Sequence, residues 1–71
     1  MKELCENIKW LREDRGITQL ELAKYLNVTQ TTYSKYELEK INISIDILVK
    51  LADYFEVSLD YLVGRNKNMI S

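Results

Sequence analysis

The sequence predicts an all-α domain of five short helices, and three observations carry that expectation. Proline is absent and Gly16 and Gly64 are the only glycines, so the chain lacks the frequent turn signals that strands need. Apolar residues recur at helical spacing, as in Leu4, Ile8 and Leu11, and again in Leu48, Leu51, Ala52 and Phe55. Thr18, Thr29, Ser44 and Ser58 stand just ahead of helical runs, where a hydroxyl oxygen accepts from the first free amides of a helix.

The first helix is expected over residues 2–15, with Gly16 ending it in a left-handed conformation. Trp10 falls off the inner stripe, which leaves its ring on the helix shoulder or against a partner. Cys5 reads as a small hydrophobe in this helix. The second helix begins at Thr18, and Glu21 completes a capping box in which each residue satisfies the other's backbone amide. Leu20, Leu22, Ala23 and Leu26 follow, and the small Ala23 lets the next helix pack close. Asn27 makes the turn, because asparagine tolerates positive φ better than any residue but glycine.

The third helix is expected over residues 29–38. Val28, Tyr33, Tyr36 and Glu37 lie toward one side of it, and Gln30, Thr31, Ser34, Lys35 and Leu38 toward the other. The fourth starts at Ser44 and carries Ile45, Leu48, Leu51, Ala52 and Phe55 at core spacing. Ser58 caps a fifth, over residues 58–63, with Leu59 and Leu62 inward and Gly64 closing it. The expected core also takes in Val28 and Tyr33. Residues 1–64 form one domain in this reading, and residues 65–71, which lack periodicity, a mobile tail.

Composition narrows the chemistry. At 46% apolar and 30% charged residues the chain reads as an ordinary soluble globular protein. It has no histidine and a single cysteine, which removes zinc sites, disulfides within the chain and histidine-based acid–base catalysis. No metal, cofactor, small-molecule ligand or enzymatic activity is expected. No segment reaches the roughly 20 apolar residues of a membrane span, and the start of the chain lacks an export-type apolar run, so the expected location is cytoplasmic. The net charge of −1 does not by itself point to nucleic acid. Its distribution matters more: from Tyr25 to Tyr36 the only charged residue is Lys35.

That acid-free stretch includes the outer face of the third helix. Glutamine pairs bidentately with adenine N6 and N7, lysine reaches guanine O6 and N7, and a threonine methyl touches the thymine methyl. Gln30, Thr31, Thr32 and Lys35 supply these types on a helix whose positive dipole end lies beside them. A solvated polar face is the plain alternative. The capped helix before it and the asparagine turn favour a helix that enters the DNA major groove.

The stretches NIKWLREDRGITQLELAKYLNVTQTTYSKYE and ILVKLADYFEVSLDYLVG resemble the lambda-repressor-like helix-turn-helix domains, also called the XRE type. The resemblance spans residues 3–64. It implies a five-helix fold, base reading by Gln30, Thr31, Thr32 and Lys35, and phosphate contacts from Gln19, Thr29, Lys40 and Asn42. It also implies a partly buried ion pair between Arg12 and Glu37. The sequence departs from the family after the third helix, where a polar or basic residue, a glycine and a proline are common. Leu38, Glu39 and Ile43 stand there instead. Leu38 cannot donate to phosphate, and Glu39 is expected at a left-handed position.

The expected function is a sequence-specific regulator, a repressor acting by occupancy, that binds double-stranded DNA at a palindromic operator. It would act as a homodimer through helix five, where Tyr61 and Val63 fall outside the inward stripe. The alternative is a protein-interaction module of the same fold, of the antitoxin or antirepressor kind, with weak DNA binding.

Overall fold

The computed structural model describes residues 2–64. It contains α1 (Lys2–Asp14), α2 (Gln19–Leu26), α3 (Gln30–Glu37), α4 (Ile45–Phe55) and α5 (Leu59–Val63). No strand occurs among the described residues. The expected tail, residues 65–71, lies outside them.

The start of each helix from α2 onward follows one pattern. Thr18, Thr29, Ser44 and Ser58 sit in extended backbone ahead of α2, α3, α4 and α5. Their hydroxyl oxygens accept from the amides of Glu21 (3.0 Å), Thr32 (3.1 Å), Ile47 (3.3 Å) and Tyr61 (3.0 Å). At α2 the Thr18 amide donates back to Glu21 Oε1 at 2.8 Å, so the capping box is complete.

The ends of α1 to α4 share a second pattern. Gly16, Asn27, Glu39 and Glu56 follow these helices with φ of 68°, 63°, 61° and 58°. The next amide then reaches back five residues. Ile17 donates to the Arg12 carbonyl at 3.0 Å, Val28 to Ala23 at 3.0 Å, Lys40 to Lys35 at 2.9 Å, and Val57 to Ala52 at 3.0 Å. This closure satisfies carbonyls the helix leaves orphaned, and an apolar residue after the turn commonly packs back on the helix. Ile17, Val28 and Val57 do so, each packed against the core. Lys40, at the end of α3, is exposed instead.

Tyr33, Phe55, Ile8, Leu22, Leu26, Leu51 and Leu62 are the largest fully buried side chains. Ala23 is fully buried as well, so nothing bulky stands between α2 and its neighbours. Some expectations are corrected here. Leu59 is 37% exposed rather than inward. Leu59 shares a face with Leu62 three residues on, but it is the first residue of α5, and only Leu62 is fully buried. Val57 packs against the core just ahead of it. Val28 and Leu48 are half-buried at the core's edge, and Ile45, expected at core spacing, is 64% exposed in the first turn of α4. Tyr36, Ile43 and Cys5 join the buried set. Trp10 is 58% exposed, further out than a shoulder position implies.

α5 is held mainly from α1. Asn7 Nδ2 donates to the carbonyls of Tyr61 (3.2 Å) and Leu62 (3.0 Å), which a helix this short cannot satisfy internally. Gly64 follows at φ 84°, and a Cβ there would collide with the Glu3 carboxyl group. The positive φ favours glycine there, and the Glu3 carboxyl, at the end of a flexible side chain, adds only a yielding steric reason.

Candidate nucleic-acid interface

α3 places its two faces on opposite tasks. Tyr33 and Tyr36 point into the core. Gln30, Thr31, Ser34, Lys35 and Leu38 point away from it and line an open groove of about 430 Å³, together with Gln19 from α2 and Lys40 from the following turn. The groove lining carries two lysines, two glutamines and no acid. It thus brings together three expected base readers, Gln30, Thr31 and Lys35, and two expected phosphate contacts, Gln19 and Lys40.

Thr29, Thr32 and Asn42 do not line it. The Thr29 hydroxyl is engaged in capping: it accepts from the Thr32 amide and donates to Thr32 Oγ1 at 3.0 Å. Asn42 is exposed in the turn between α3 and α4. Ser34 and Leu38 belong to the groove although their side of the helix was all the sequence indicated.

Beneath the groove lies a polar network centred on Glu37. Arg12 Nε donates to Glu37 Oε2 at 2.6 Å and Arg12 Nη2 to Oε1 at 3.3 Å, a two-pronged pair linking α1 to α3. The side chains are 12% and 3% exposed. Tyr33 Oη donates to Glu37 Oε2 at 2.5 Å and Gln19 Nε2 donates to Oε1 at 3.0 Å. Arg12 Nη1 is taken up by the Ile17 carbonyl at 2.9 Å. No buried side-chain polar atom among the described residues is left without a partner.

Burial alone would push the Glu37 carboxyl up. The hydrogen bonds from Arg12, Tyr33 and Gln19 outweigh burial and hold it below the ordinary carboxylate value. The same bond from Arg12 raises the guanidinium further. Burial, then the bond to Glu37, keeps the Tyr33 hydroxyl protonated far above the ordinary phenol range. Glu37 is therefore an anion and a pure acceptor at neutral pH.

The link from Gln19 to Glu37 matters for the groove. A side-chain amide offers two N–H donors and one carbonyl. Glu37 takes one donor, which fixes the amide plane and leaves the second donor and the oxygen for a ligand. Nothing in the order of residues signals this contact. The four-residue spacing of Tyr33 and Glu37 on one helix face was the visible signal for the other.

Residues 8–62 match the model of the helix-turn-helix family, and the chain belongs to that family. It is 36% identical over 64 residues to the HTH-type transcriptional regulator ImmR of Bacillus subtilis, covering 90% of this chain and 50% of that one. It is 32% identical over 62 residues to Antitoxin PezA of Streptococcus pneumoniae, covering 87% of this chain and 39% of the other. Its fold superposes on the crystal structure of a transcriptional regulator from Listeria innocua with a TM-score of 0.82 at 34% identity, over 86% of this chain and 57% of that one. The chain spans about half the length of the curated relatives it matches.

Proposed function

We propose that this domain is a sequence-specific transcriptional regulator that inserts α3 into the major groove of double-stranded DNA. One observation carries the reading: the outward face of α3 forms a polar, acid-free groove with Gln19 and Lys40, on a chain whose net charge is negative. Gln30, Thr31 and Lys35 would read base edges, and Thr32 would assist from the flank. Gln19, Lys40 and Asn42 would hold the phosphates, and Thr29 would join them by turning its hydroxyl proton away from Thr32 Oγ1. Two such helices on a two-fold dimer, about 34 Å apart, would match a palindromic operator. The dimer contact would lie at α5, where Leu59 offers an exposed apolar side chain and Tyr61 and Val63 are half-buried. The regulator would act as a repressor by occupying its site.

A second reading is a protein-binding module of the antitoxin kind. The exposed apolar side chains of Trp10 (58%), Leu38 (60%) and Ile45 (64%) support it, as does the likeness to an antitoxin. Pulldown of genomic fragments with the purified protein separates the two. The DNA reading predicts enrichment of a few loci and elution by moderate salt, because each phosphate contact releases a counterion. No enrichment over random fragments would favour the protein-binding module.

A further inference from the structure

We infer that Leu38 is a specificity-determining residue that reads the methyl group of thymine. The inference rests on the reading of α3 as the base-reading helix and adds a residue to it. Thr31, Lys35 and Leu38 are spaced four and three residues apart, so they form one outward stripe along α3. Leu38 caps the helix with φ −92° and ψ 3°, so its side chain continues that stripe rather than turning inward. It is 60% exposed. Among the described residues lining the groove it is the one apolar side chain, beside Gln19, Gln30, Ser34, Lys35 and Lys40.

A leucine here cannot pair with a phosphate oxygen or a base edge by hydrogen bonding. It gains only when apolar surface meets apolar surface. The edges of the base pairs in the major groove offer one apolar group, the C5-methyl of thymine. A leucine at the far end of the reading stripe therefore favours a thymine near the edge of the half-site, where a polar residue would hold the backbone instead.

The test starts from duplexes selected by the wild-type protein out of a random pool. Each thymine of the best site is replaced singly by deoxyuridine, which removes the methyl and leaves the base edge unchanged. Wild-type affinity should fall about three- to five-fold at one thymine or more per half-site. With Leu38→Ala that loss should vanish at the same position and persist at any thymine read by Thr31. Leu38→Met should retain it. Leu38 is exposed, so the melting temperature of both variants should match the wild type. If Leu38→Ala weakens every duplex alike and all deoxyuridine losses remain, Leu38 lies against sugar or phosphate and the inference falls. If no sequence is enriched at all, the base-reading role of α3 itself fails, and this inference with it.

Discussion

Glu37 accepts from Arg12, Tyr33 and Gln19 at once, and so ties α1, α2 and α3 together through one carboxylate. Removing its charge leaves the Arg12 guanidinium buried against an uncharged partner. Glu37→Gln is expected to cost about 3–5 kcal/mol in urea unfolding, and replacing Arg12 and Glu37 together by apolar residues to recover only part of it, because the buried Tyr33 hydroxyl loses its acceptor. The pH dependence has a definite sign. The folded carboxyl titrates below its ordinary value near 4.5. Its stabilisation is fully present above that value and is lost as pH falls through the lower folded value. Unfolding free energies measured from pH 7 downward should show a shallower fall in Glu37→Gln than in the wild type. On the proposed reading, the groove residues separate by task. Lys35→Ala should cost about 1–3 kcal/mol on a selected duplex and relax one base position, while Gln19→Ala weakens all duplexes alike, as read by fluorescence anisotropy. At this scale the sequence showed residue types and faces. It did not show that Gln19 leans on Glu37, because that contact depends on how closely α2 and α3 approach.

The elements were legible where local chemistry decides them. Hydroxyl caps, the Thr18–Glu21 box and the Asn27 turn are set by neighbours a few residues away, and each sits where the residue types placed it. The turn after α4 was not legible. Glu56 takes φ 58° there although glutamate has no preference for that conformation. The packing of Val57 on the core imposes it. The spacing of Leu59 and Leu62 does put them on one face of α5, but it does not show that the first residue of so short a helix lies at the rim of the core. Both left-handed glutamates invite one test. Glu39→Gly and Glu56→Gly remove a strain of about 1–2 kcal/mol, offset in part by the greater entropy of glycine in the unfolded chain. Each should raise stability by roughly 0.5–1 kcal/mol in chemical denaturation. Only Glu39→Gly, which removes a negative charge beside Lys40, should also tighten DNA at low salt, with the gain shrinking as salt rises. Equal DNA effects from both variants would place the α3–α4 turn away from the phosphates.

The lining of the α3 groove is free of acids on a chain of net charge −1, which favours a local rather than a global attraction to DNA. Fold class and the outward polar face of α3 followed from helical periodicity and capping, and the helix-turn-helix resemblance aligned them. The apolar surface left outside the core, including Leu59, followed from neither, since spacing alone does not fix how deeply a side chain at a helix end is buried. A two-fold dimer predicts sedimentation at twice the monomer mass on a palindromic duplex, and loss of that species with Leu59→Lys at unchanged melting temperature. The central claim is that the α3 groove reads DNA sequence. It is tested most directly by comparing the affinity of the wild-type protein for its selected duplex and for a scrambled duplex of equal length, across a series of salt concentrations. The account predicts a preference on the order of 10³ or more for the selected duplex, with both affinities falling as salt rises. Equal affinity for the two duplexes, or binding indifferent to salt, would contradict it.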